Sequence, residues 1–140
     1  MNRKILITIL AILIFTTVSQ GAEKVPVKPV YCSPNQLVCS AGRFTLSSTS
    51  SALAVGEGVI CTPNRKICTN GFRSVNSTEE FELPAQYVIC TKSKKVCLIG
   101  RHVMRSNNEP LYIQDGIVCE PDRKTCTDGF KYTRSDKPLF

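Results

Sequence analysis

Beyond position 22 the apolar residues gather in short β-branched clusters, and no segment keeps the three-and-four spacing of an amphipathic helix. The clusters are Val30-Tyr31, Val59-Ile60, Val88-Ile89 and Ile117-Val118, and then Val38, Ile67, Val96 and Thr125. Each stands directly before a cysteine. Residues of this type suit a pleated strand, where their stiff χ1 packs well, better than a helix. The pattern therefore predicts pairs of short strands, repeated four times.

The cysteines set the period. They fall at Cys32 and Cys39, Cys61 and Cys68, Cys90 and Cys97, and Cys119 and Cys126, with six residues inside each pair and 29 from one pair to the next. The predicted fold is all-β: four tandem disulfide-stapled hairpin or meander repeats, stacked as a small array. The units are 24–52, 53–81, 82–110 and 111–139, within one repeat domain spanning 23–140. These units leave no room for a separate catalytic domain.

Turn chemistry agrees with the period. Pro34-Asn35, Pro63-Asn64 and Pro121-Asp122 suit the centre of a type I turn, and Lys92-Ser93 stands there in the third copy. A four-residue loop such as 63–66 then sets Thr62 opposite Ile67 and Cys61 opposite Cys68. Glycine follows the second cysteine by three residues in every copy, at Gly42, Gly71, Gly100 and Gly129. Asn70-Gly71 and Asp128-Gly129 are two-residue hairpin signals. Ala41-Gly42 and Ile99-Gly100 fit such a turn less well, so the shared requirement is a positive φ at glycine. A third strand is expected next, over 72–75 in the second copy, and then a looser stretch that differs between copies.

Residues 1–22 read as a signal peptide. Arg3 and Lys4 precede an apolar run from Ile5 to Phe15, and Ser19 and Gly21 suit cleavage after Gly21. A retained membrane anchor is the alternative, but the run is shorter than the roughly 20 residues that span a bilayer. The expected location is secreted or periplasmic, with no integral membrane span once the signal is removed. In that setting eight cysteines form a disulfide framework. The symmetric solution pairs Cys32–Cys39, Cys61–Cys68, Cys90–Cys97 and Cys119–Cys126, and a ladder between neighbouring copies competes with it. Each short ring is worth about 2.5 kcal/mol by loop entropy.

The precursor carries +7, and loss of Arg3 and Lys4 leaves 16 basic and 11 acidic residues. The excess is patterned. Arg65 and Lys66, Lys94 and Lys95, and Arg123 and Lys124 occupy the same place in three of the four turns between paired cysteines and form the candidate anion-binding row. A second basic column, Arg43, Arg73, Arg101 and Lys131, follows the glycines, beside Phe44, Phe72, His102 and Phe130. Rows of fixed positive charge attract polyanions, glycans or lipid head groups. Lys and Arg at hairpin tips also keep sheet edges soluble, and the phenylalanines are expected on the core side of the third strand.

Nothing in the chain signals catalysis. The single histidine, His102, has no catalytic partner in the pattern, and Glu79, Glu80 and Glu82 occur in one copy, where a solvated loop accounts for them. The cysteine spacing lacks the pattern of zinc sites or redox pairs. No cofactor or metal is expected. The sequence thus predicts a non-catalytic binding or interaction protein, with an anionic surface or polymer, or a protein held by the variable loops, as partner. A structural envelope component, a secreted host-interaction effector and a protease inhibitor are the competing readings.

Overall fold

A computed structural model describes residues 27–83 and 87–140. The expected signal segment, 1–22, lies outside these residues. Every regular element among them is a strand. The first copy holds β1 (Val30–Cys32), β2 (Val38–Ala41) and β3 (Phe44–Ser47). The second holds β4 (Ala54–Gly56), β5 (Val59–Cys61), β6 (Ile67–Thr69) and β7 (Ser74–Asn76). The third holds β8 (Val88–Cys90), β9 (Val96–Ile99) and β10 (His102–Arg105). The fourth holds β11 (Tyr112–Gln114), β12 (Ile117–Cys119), β13 (Thr125–Thr127) and β14 (Tyr132–Arg134). Each copy forms its own antiparallel sheet, with its strands in chain order. The predicted fold class holds.

The register puts each cysteine opposite its mate, and four disulfides staple β1 to β2, β5 to β6, β8 to β9 and β12 to β13. The local pairing is observed and the ladder is not. No free cysteine remains.

The proline turns close as the sequence requires. Thr62 N–H donates to the Ile67 carbonyl at 2.9 Å and Arg65 N–H to the Thr62 carbonyl at 2.8 Å, with matching bonds in the other three copies. Asn64 Oδ1 accepts from the Lys66 N–H, as Asn35 does from Leu37 and Asp122 from Lys124. This explains the Asn and Asp preference: the side chain satisfies a donor that the turn would otherwise leave open. The residue that follows adopts positive φ in every copy, at Gln36, Arg65, Lys94 and Arg123. None of these is glycine.

Three expectations need correction. The Asn70-Gly71 and Asp128-Gly129 loops are not two-residue turns: Thr69 pairs with Ser74 and Thr127 with Tyr132, so four residues lie in each loop. Asn70 Oδ1 accepts from both Phe72 N–H and Arg73 N–H, widening the turn, and Asp128 does the same with Phe130 and Lys131. The tight two-residue loops are instead Gly42-Arg43 and Gly100-Arg101, in the copies with the weaker dipeptide. All four glycines do have positive φ, as expected.

The third strand of the second copy accordingly starts at Ser74 and leaves Phe72 in the loop. Finally, the second and fourth copies open on a further strand, β4 or β11, joined to the next by Glu57-Gly58 or Asp115-Gly116; the equivalent segments of the other two copies lie largely outside the described residues. Asp115 and Gly116 both have positive φ, the pattern of the hairpin turn that this dipeptide favours.

The core lies between copies rather than within them. Cys39 and Ala41 of the first copy cluster with Leu53 and Ile60 of the second. Val59, Val75 and Phe81 of the second cluster with Ile89 and Leu98 of the third. Ile99 and Met104 of the third cluster with Leu111 and Val118 of the fourth. Each unit thus buries its apolar side against the next, the logic of a stacked array. No cluster among the described residues joins the first copy to the fourth.

Candidate functional site

The stack has two edges at which basic turns recur, and they differ in what surrounds the charge. At the proline turns, backbone demands come first. The carbonyls of Gln36, Arg65, Lys94 and Arg123 accept from the N–H groups of Leu53, Phe81, Leu111 and Leu139, which holds each long loop down on its turn. The next carbonyls, of Leu37, Lys66, Lys95 and Lys124, accept from Ser48, Ser77, Ser106 and Ser135. These serines recur every 29 residues, so the second half of the unit is less variable than it looks in sequence.

The side chains at this edge are partly neutralised. Arg65 pairs with Glu80 at 3.4 Å, the one ion pair among the described residues. Arg65, Lys66 and Lys92 share a depression with Glu79, Glu80 and Glu82. Glu79 also accepts from the Ser93 hydroxyl. Arg123 lies over the Tyr112 ring at 5.3 Å. Of the predicted row, Arg65 and Lys66 meet in one depression that carboxylates also line. Lys94 and Lys95 belong to the third-copy turn, and Arg123 and Lys124 to the fourth.

At the glycine turns the cations converge. Gly42 and Gly71 approach backbone to backbone: a Cβ built on Gly42 would lie 2.3 Å from the Gly71 carbonyl oxygen. That contact draws the loops of the first two copies together and brings Arg43 beside Arg73. Arg101 joins them from the third copy, where the Arg73 guanidinium donates to its carbonyl at 3.5 Å. Asn70 also donates its side-chain N–H to the Gly100 carbonyl at 2.7 Å, tying the second copy to the third.

Lys28 arrives from the segment before β1. Its stem packs on Gly71, where a Cβ would lie 2.9 Å from Lys28 Cβ, and its ammonium sits 5.0 Å from the centre of the Phe72 ring. The result is a cleft of about 480 Å³ with Lys28, Arg43, Arg73 and Arg101 in its wall and no carboxylate lining it. Sequence reasoning aligned the three arginines but not Lys28, whose position follows from a chain path.

The phenylalanines are not core residues. Phe44 and Phe72 are half-buried, and Phe130 is 54% exposed beneath the Arg101 guanidinium at 5.5 Å. Burial was expected for all three, but Phe72 and Phe130 stand in widened loops, and the core clusters contain none of the three.

His102 is satisfied locally: Nδ1 hydrogen-bonds to the Thr127 hydroxyl, and the ring stacks on Tyr132 with centroids 4.0 Å apart. Burial lowers its pKa below 6.5; Asp128 opposes this, while Arg73 and Arg101 add to it. Among the described residues, no three His, Cys, Asp or Glu side chains stand close enough to hold a metal.

Fold and edge chemistry together define the class: an array of disulfide-stapled β-meanders with an uncompensated basic cleft. Comparison of the chain with family models, curated proteins and solved structures finds no match. The four disulfides fit an oxidising environment. Among the described residues no helix is long and apolar enough to cross a membrane.

Proposed function

We propose that the chain is an exported, non-catalytic binding module whose partner is anionic. The observation that carries the reading is the glycine-turn cleft, where four cations from three copies converge without a carboxylate. Like charges gathered on a rigid scaffold repel one another, and an anion relieves that repulsion on binding. The basic start and apolar run of residues 3–15 support export, as does the disulfide framework.

The sequence placed the anion-binding role on the proline turns. The glycine turns are the stronger candidate, because Glu79, Glu80 and Glu82 stand beside the first basic pair. The test is binding of the oxidised mature chain to duplex DNA, a sulfated polysaccharide and anionic vesicles across a salt series. The expected result is capture of at least one polyanion, weakening as salt rises; for a DNA partner the log–log slope is about −0.9 per phosphate contact. A chain that binds none of the three at low salt would refute the reading.

A further inference from the structure

Resting on that reading, we propose that the glycine-turn cleft is a single site per chain for a ligand bearing two or more adjacent phosphate or sulfate groups. Three arginines and one lysine, drawn from separate elements, line it. Arg43 comes from the β2–β3 loop, Arg73 from the β6–β7 loop, Arg101 from the β9–β10 loop and Lys28 from the lead into β1. Guanidinium forks match tetrahedral oxyanions through paired N–H donors. One small oxyanion can engage one or two such forks at a time, whereas a cleft of about 480 Å³ holds a larger group. Two neighbouring oxyanions are the smallest ligand that uses the whole wall.

Gly42 and Gly71 abut backbone to backbone, and their mutual contact fixes the spacing of Arg43 and Arg73. Lys28 is held by its stem on Gly71 and by the Phe72 ring. None of the four cations forms an ion pair within the described chain.

The single stoichiometry follows from comparing the two halves of the array. Moving 58 residues along the chain carries Arg43 to Arg101, Phe72 to Phe130 and Arg73 to Lys131, but the side chain packed on Gly129, as Lys28 packs on Gly71, is that of Tyr87. Asp128 replaces Asn70 there and adds a negative charge. The second half therefore lacks the cation set that makes the first half a site.

Calorimetric titration of the oxidised mature chain with inorganic pyrophosphate and with a disulfated disaccharide tests the proposal, with orthophosphate as the comparison. The expected result is one site per chain, with both two-anion probes binding at least roughly tenfold tighter than orthophosphate. Arg43→Gln with Arg73→Gln should weaken them roughly tenfold or more, with melting temperature kept, while Arg65→Gln with Lys66→Gln should not. Vesicles carrying a bisphosphorylated lipid, run beside the soluble probes, separate a head-group source from a soluble one.

Equal affinity for orthophosphate, more than one site, or loss of binding only in the proline-turn variant would overturn the cleft assignment and leave the broader anionic reading standing. If neither two-anion probe binds, the proposal is overturned; if the polyanions also fail to bind, the broader reading falls with it.

Discussion

Single residues decide how close the copies come. Gly42 and Gly100 have φ near +55°, and a Cβ at either would meet the carbonyl oxygen of Gly71 or Gly129, at 2.3 Å and 2.6 Å. Gly42→Ala and Gly100→Ala should each cost roughly 1–3 kcal/mol from the backbone conformation alone, with the clash adding to it. Urea denaturation of the two variants reads this directly, and a loss below about 0.5 kcal/mol at both positions would remove the glycine contact from the account.

His102 supplies a second prediction at this scale. Burial lowers its pKa in the folded chain, so the native state binds that proton less readily than the unfolded chain does. Stability should therefore fall as pH drops below the ordinary value near 6.5, and level off once the pH is below the native pKa. His102→Gln should flatten that part of the profile. Asp128 acts in a lower window: burial pushes its pKa up, but N–H groups of Lys131 and Phe130 outweigh that and hold it below 3.8.

Elements were legible where local chemistry is sufficient. The Pro-Asn turn names its own register, because Asn64 accepts from Lys66 and the closing pair places Cys61 against Cys68. The glycine loops were legible only in part. Asn70-Gly71 favours a two-residue turn in isolation, yet contacts with the first and third copies hold it as a wider loop. Those contacts involve residues 29 or more positions away, which no local dipeptide encodes. The basic cleft was legible as an alignment of Arg43, Arg73 and Arg101, while Lys28 enters it through tertiary packing.

The disulfides, alike in sequence, differ in setting. Cys32 is exposed, whereas Cys61 and Cys119 are buried and Cys90 is half-buried. Exposed disulfides exchange more readily with attacking thiols. Limited reduction followed by thiol alkylation should label Cys32 and Cys39 first. Labelling that starts at Cys61–Cys68 or Cys119–Cys126 would contradict the stacking order.

Across the whole molecule, the two outer faces of the described array carry polar residues where inner faces carry apolar ones. The first copy turns Tyr31, Ser40 and Thr45 outward across its sheet, where the third copy uses Ile89, Leu98 and Val103 to meet its neighbour. Tyr31 is 69% exposed, and its counterpart Ile89 is 2% exposed. At the other end, Thr133 stands opposite Cys126, where Val75 and Met104 stand opposite Cys68 and Cys97. Polar outer faces are what terminal repeats need to stay apart. The mature chain should therefore sediment as a monomer. Ser40→Leu with Thr45→Val should introduce concentration-dependent association. A variant that stays monomeric at high concentration would show that these residues do not cap the stack.

The single histidine reports on the anion proposed for the glycine-turn edge. Arg73 and Arg101 help depress the pKa of His102, so an anion that neutralises them should raise it. The decisive measurement is an NMR pH titration of the His102 imidazole with and without saturating pyrophosphate. The account predicts an upward shift of the midpoint that is lost in Arg43→Gln with Arg73→Gln. A midpoint that pyrophosphate leaves unchanged, in a sample where the probe is shown to be bound, would place the anion elsewhere and contradict the account.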